Sequence, residues 1–178
     1  NHEKVKIITL DNIKKNDFKH NINCIIHCAA QSQAKDISTI DYIESNILLT
    51  KQLINFFYTK KINKFIFVSS ISIYGKIKHK ILNINTPIYN PCIYGISKLV
   101  CESILSDNSY FLNSICIRLP GVIGKNSVRN WLTSIYKRAL VGKKIEIFNP
   151  DALFNNAIHI NDLTNFIISL LEYNFTGF

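Results

Sequence analysis

Phe65-Ile-Phe-Val-Ser-Ser-Ile-Ser-Ile-Tyr-Gly75, followed across a polar loop holding Pro87 and Pro91 by Tyr94-Gly-Ile-Ser-Lys98, decides the fold of this chain. A short apolar run bounded by hydroxyl residues reads as a buried strand with a polar carboxyl end. The later segment opens a helix. Tyr94 and Lys98 stand four apart, so on that helix they share one face. A phenol titrates near pH 10 and is a poor base at neutral pH unless a neighbouring positive charge favours its ionised form. Lys98 is placed to do that, and Ser70, at the end of the strand, can hydrogen-bond the same substrate oxygen. The three residues form a device for moving a proton on or off an alcohol while a hydride moves elsewhere.

Outward from this stretch, apolar strand patterns alternate with helical ones. Val5–Leu10 reads as a short strand, with Asp11 as the cap of a helix over 13–20. Asn23-Cys-Ile-Ile-His-Cys-Ala-Ala30 reads as a strand buried on both faces. Isoleucines at helical spacing predict a long helix over 36–59, with Asn46 as a polar residue that needs partners. A strand is expected over 63–69 and a helix over 93–109. A further strand, Ser114–Leu119, ends at Pro120-Gly121. A helix over 128–141, a strand at Lys144–Phe148 and a last helix over 162–172, capped or anchored by Asp162, complete the pattern. His27 reads as a positioned core histidine. Alternation of this kind predicts a parallel α/β sheet.

Val68-Ser-Ser-Ile-Ser-Ile-Tyr-Gly75 together with Tyr94-Gly-Ile-Ser-Lys98 resembles the catalytic segments of extended short-chain dehydrogenases/reductases, the NAD-dependent epimerase/dehydratase family. The resemblance covers nearly the whole chain. It implies a Rossmann-like, doubly wound parallel sheet over residues 1–178, with a small C-terminal substrate-binding region within about 120–160. It implies Ser70, Tyr94, Lys98 and Asn46 as catalytic residues. Asp11, Asn12, Ala29, Ala30, Lys98, Pro120 and Gly121 would lie against the cofactor, NAD, with NADP left open. Ser70, Tyr94, Gly121 and Asn155 would meet a nucleotide-sugar substrate. The helices over 36–59 and 93–109 would form a homodimer interface.

The chain departs from the family pattern in four places. The first strand, the Gly-x-x-Gly-x-x-Gly loop and the second strand are missing, so both ends read as cut. Gly121 stands where many members have an Asn, and Asn155 lies near where many have an Arg. This argues against UDP-galactose itself and leaves Lys125, Arg129 and Lys143 as candidates for a phosphate charge. Ile71 and Ser72 stand where sugar dehydratases of the family place acidic residues. An epimerase is therefore expected, with a 4-ketoreductase or another alcohol dehydrogenase as the alternative within the family. An inactive fragment is the alternative of another class.

Composition narrows the classes further. The 178 residues carry 21 Lys and Arg against 12 Asp and Glu, a net charge of +9. These cations are scattered, without the basic face expected of a nucleic-acid protein. They suit an anionic small-molecule substrate instead. No apolar run reaches membrane-spanning length. The five cysteines form no Cys-x-x-Cys pair, no metal site is expected, and buried thiols fit a reducing cytoplasm.

Overall fold

The computed structural model describes residues 5–15, 21–34, 36–62, 64–109, 112–127, 130–147, 150–151 and 157–178. Three parallel strands, β1 (Cys24–His27), β2 (Lys64–Ser70) and β3 (Asn113–Leu119), form one sheet in the order β1-β2-β3. The register pairs Cys24 with Lys64 and Lys64 with Asn113, so His27, Ser70 and Leu119 all point to the same, carboxyl end. β2 is central. Phe65, Ile66 and Phe67 are fully buried, which covers the strand on both faces and explains its unbroken apolar run. Each buried phenylalanine contributes about 1.5–3 kcal/mol relative to an exposed one.

The long helix expected over 36–59 forms as one rod in three pieces. α2 (Thr39–Tyr42) leads into a wide π turn (Ile43–Leu48) and then α3 (Leu49–Tyr58). Ser38 caps its start, accepting from the Asp41 amide while the Asp41 carboxylate accepts from the Ser38 amide. α3 and α4 (Ile93–Asp107) cover one face of the sheet. Leu49, Leu53, Ile54, Cys101 and Leu105 meet Ile25, Phe65 and Phe67 there.

A second, two-stranded parallel sheet pairs β4 (Gly121–Ile123) with β5 (Ala157–His159), flanked by α5 (Trp131–Leu140) and α6 (Ile160–Glu172). Among the described residues no helix is long and apolar enough to cross a membrane.

Three local expectations fall differently. Val5–Thr9 is not in a strand, and α1 starts at Leu10 and runs to Lys15. A strand needs a ladder partner, and Ile7 is 83% exposed with none. Thr9 caps α1 instead of Asp11. Its hydroxyl oxygen accepts from the Asn12 amide at 3.4 Å, and its own amide and hydroxyl donate to Asn12 Oδ1 at 3.0 and 2.8 Å. Of Lys144–Phe148, expected as a strand, residues 144–147 form no ladder and Ile147 is exposed, while Phe148 lies outside the described residues. α6 begins two residues before the expected start. His159 caps it through Nδ1, and Asp162 lies in its first turn, where a carboxylate favours the helix dipole.

Candidate functional site

Ser70 is both the last residue of β2 and the cap of a single 3₁₀ turn, Ile71–Tyr74. Its hydroxyl accepts from the Ser72 amide at 3.1 Å. This turn re-aims the chain directly at the strand end. α4 begins alongside it, and Gly95 lets the two approach. A Cβ on Gly95 would sit 2.3 Å from the Ser72 carbonyl oxygen. Gly75 closes the same turn at φ +65°, a conformation that glycine accepts freely. The Tyr-Gly and Tyr-Gly-x-Ser-Lys spacings thus have a packing reason beside any chemical one.

Tyr94, in the first turn of α4, is half-buried and close enough to Ser70 for that side chain to act on its phenol. Burial holds the phenol above the usual tyrosine range, and the Ser70 side chain acts in the opposite direction. Lys98 is only 2% exposed. Its Nζ donates to the Val68 carbonyl at 2.8 Å and lies 4.6 Å from the Phe67 ring centroid. Burial pulls this ammonium below its ordinary range, opposed by Cys101, Cys28, Cys116 and Glu102. In this geometry burial governs the Tyr94 phenol, and the Lys98 charge is anchored on β2.

Asn46 is 1% exposed at the centre of the π turn. Its Oδ1 accepts from the Gln31 amide at 2.7 Å, and its Nδ2 donates to the Gln31 carbonyl at 3.2 Å. That bracket fixes the segment just past Ala29 and Ala30. Nδ2 also reaches Ser97 Oγ at 2.9 Å, and Ser97 donates to the Tyr94 carbonyl at 2.8 Å. Asn46 therefore ties the end of β1 to the first turn of α4. The widened helical turn places one polar side chain at both, as single π turns at functional sites often do.

His27, 3% exposed, lies 3.0 Å from Thr50 Oγ1. Thr50 spends its own proton on the Asn46 carbonyl at 2.7 Å, so His27 Nε2 must be the donor. Burial, then the Lys98 charge, lowers the His27 pKa to about 4, which keeps the ring neutral. The sign follows from linkage. An unfolded histidine takes up a proton near pH 6.5 that the folded one refuses. His27 therefore adds stability above that pH, which is lost as pH falls toward 4. Its share of the loss between pH 7 and pH 5 is roughly 2 kcal/mol. Urea unfolding of the wild type and His27→Gln at both pH values should show the variant losing less by that amount. Parallel losses in the two proteins would remove His27 from the account.

Of the remaining expected residues, Ala29 and Ala30 follow β1 with Ala29 exposed and Ala30 half-buried. Asp11 is exposed in α1, and the Asn12 side-chain oxygen is engaged by Thr9. Pro120 joins β3 to β4. Gly121 lines a concavity of about 410 Å³ with Val122, Lys125, Ser127, Asn130 and Ile160. Of the three candidate cations, Lys125 lines it, Lys143 is exposed outside it, and Arg129 lies outside the described residues, as does Asn155.

The sequence reading missed Ser97, Glu102, Arg118 and Tyr74. Glu102 is 4% exposed and pairs with Arg118 at 2.7 Å. The signal was present. A cation in the otherwise apolar run Ser114-Ile-Cys-Ile-Arg-Leu119 needs a buried partner.

Fold and site together define an α/β protein with a serine at the carboxyl end of its central parallel strand, a tyrosine beside it and a lysine one turn on. The chain belongs to the NAD dependent epimerase/dehydratase family, which matches residues 2–177. It is 26% identical over 167 residues to a UDP-glucose 4-epimerase of Halalkalibacterium halodurans, covering 82% of this chain and 50% of that protein. It is 28% identical over 160 residues to a D-erythronate dehydrogenase of Haemophilus influenzae, covering 77% and 50%. The crystal structure of UDP-glucuronic acid 4-epimerase from Bacillus cereus in complex with NAD shares the fold at TM-score 0.75 and 24% identity, covering 88% of this chain and 52% of that one. The chain thus spans about half the length of the curated relatives it matches.

Proposed function

We propose that the complete protein is an NAD-dependent nucleotide-sugar epimerase in which Ser70, Tyr94 and Lys98 handle the proton of a sugar hydroxyl. The observation that carries this reading is the placement of Ser70, the last residue of β2, beside the first turn of α4 that holds Tyr94, with Gly95 packed against the Ser72 carbonyl. A single substrate oxygen can meet both hydroxyls there. Tyr94 takes the hydroxyl proton and gives it back, and Ser70 holds the oxygen. Lys98, one turn further along α4, supplies the positive charge that favours the ionised phenol when substrate closes the site. Asn46 holds the Ala29–Gln31 segment and the Tyr94 turn in register.

A dinucleotide fits the strand ends. Ala29 and Ala30 carry nothing beyond Cβ, so a flat ring system can approach the backbone past β1. NAD, when bound, supplies the hydride acceptor for the carbinol carbon. Lys125, exposed at the concavity beside Gly121, suits a substrate phosphate. Ile40, Leu48, Ile93 and Ile96 are exposed along α2 to α4 and suit a homodimer through these helices. The free cysteines suit a reducing cytoplasm. A 4-ketoreductase or dehydrogenase that performs only the redox half is the second reading. The similarity to a D-erythronate dehydrogenase favours it.

Ile71 and Ser72 exclude one branch of the family's chemistry. Eliminating water from a keto sugar needs a carbon base and an acid for the leaving hydroxyl. Isoleucine has no proton to exchange, and Ser72 Oγ is tied to Ser70 Oγ at 3.1 Å. The test is to incubate the complete gene product with NAD and a panel of nucleotide sugars, and to size it by sedimentation equilibrium. Epimers or redox products and a dimer are expected. A product lighter by one water would overturn the reaction type, and a monomer at micromolar concentration would overturn the interface.

A further inference from the structure

Glu102 stands one turn beyond Lys98 and two beyond Tyr94 on α4, so all three share a face. Its carboxylate accepts from Ser69 Oγ at 2.6 Å, from Arg118 Nε at 3.2 Å and from Arg118 Nη2 at 2.7 Å. Ser69 and Arg118 are register partners in β2 and β3, one step before Ser70 and Leu119. One buried carboxylate therefore fastens the helix to two neighbouring strands, at the residue that precedes Ser70. The network continues outward. Arg118 Nη1 donates to the Tyr74 phenol at 2.8 Å, and that phenol donates to the Asn83 carbonyl at 3.0 Å. The guanidinium also lies 5.1 Å from the Tyr74 ring centroid. The loop between Gly75 and Pro91 is thus tied to the same carboxylate that ties the helix.

An ion pair with one partner buried and the other half-buried is a poor way to gain stability. The desolvation of the charges offsets much of their attraction, and a well-packed apolar pair often does as well. What the ions supply here is direction. The planar guanidinium fork fixes the carboxylate on one side and a phenol on the other, which two apolar side chains do not.

We propose that Glu102 and Arg118 are positioning residues, whose ion pair sets the distance between the Ser70 hydroxyl and the Tyr94 phenol and holds the Tyr74–Asn83 loop over the strand ends. The catalytic half of this proposal rests on the functional reading above. The geometric half does not.

The test uses the complete gene product with NAD and whichever nucleotide sugar of the panel is turned over. Glu102→Gln alone leaves a half-buried cation without its counter-charge and should lower thermal stability. The double variant Glu102→Leu with Arg118→Met should recover the wild-type melting temperature to within a few degrees. Its kcat should nevertheless fall about 100-fold at unchanged KM, because the reacting groups are misplaced by a fraction of an ångström to an ångström. Arg118→Lys, which keeps the charge and loses the fork, should lie between. Amide hydrogen exchange, which needs no substrate, should be at least about tenfold faster over residues 69–74 and 83–90 of the double variant. If that variant does not fold, Tyr74→Phe removes a single hydroxyl and should speed exchange over 83–90 and lower kcat about tenfold. Wild-type exchange and kcat in a folded variant would overturn the proposal. A wild type that turns over no nucleotide sugar, alongside faster exchange in the double variant, would sink the functional reading and leave the positioning role standing.

Discussion

Tyr94→Phe should lower turnover of the complete protein by about 10²–10⁴-fold, the range that a positioned acid–base group contributes. The substitution removes one oxygen and keeps the ring, which packs 6.2 Å from Tyr42 between centroids. Ser70 keeps its contacts with the Ser72 amide and hydroxyl, so no buried group is orphaned. Melting temperature and NAD binding should therefore stay close to wild type. The pH dependence gives a second signature. Burial holds the Tyr94 phenol above its ordinary range, so the proton-accepting form is scarce at neutral pH. Wild-type kcat/KM should climb with pH above neutrality, and the variant's residual rate should not. Near-normal turnover in Tyr94→Phe would remove this residue from the mechanism.

How much of this was legible before any coordinates? β2, α4 and the placement of Ser70 at the strand end were, because each rests on local pattern. A short apolar run bounded by hydroxyls reads as a strand end, and a four-residue spacing fixes a helix face. Asn46 was legible as a buried polar residue needing partners, but its partners were not. The π turn that aims it adds one residue to one turn, too little to disturb the isoleucine period across 36–59. Strand status was misjudged where it depends on a neighbour. Val5–Leu10 and Lys144–Phe148 have the right residues, but a strand exists only against a partner edge. The Glu102–Arg118 pair lay outside local reading for a related reason. Arg118 announces that a counter-charge is needed, but only the β2–β3 register and the α4 face say which one. The Lys98 charge was expected to favour the ionised Tyr94 phenol; burial is the first cause acting on that phenol, and the ammonium donates to the Val68 carbonyl.

Gly95→Ala tests the packing that underlies the whole site. Considered as a helix residue alone, Gly95 should gain about 1 kcal/mol from the change, since alanine is the better helix former. Its backbone imposes no positive φ that would forbid a side chain. Against this, the new Cβ would lie 2.3 Å from the Ser72 carbonyl oxygen and 2.8 Å from its carbon. Those are backbone atoms of the 3₁₀ turn and cannot swing aside. Either α4 lifts from the turn or the turn shifts, by on the order of an ångström, and overpacking of this kind costs about 1–3 kcal/mol. The clash should win, with a net loss of up to about 2 kcal/mol and a melting temperature lower by up to roughly 8 °C. The effect on rate should be larger. Tyr94 is the adjacent residue and Ser70 opens the displaced turn, so the shift falls directly on their relative placement, and a misplacement of an ångström costs about 100-fold. Gly142→Ala is the control. No atom lies within 4 Å of its added Cβ, and its φ of +63° costs backbone strain alone. That variant should lose about 1 kcal/mol of stability with turnover unchanged. A Gly95→Ala protein as stable and as active as wild type would mean that α4 and the Ser70 turn do not pack this closely, and the geometry assigned to Ser70 and Tyr94 would fall with it.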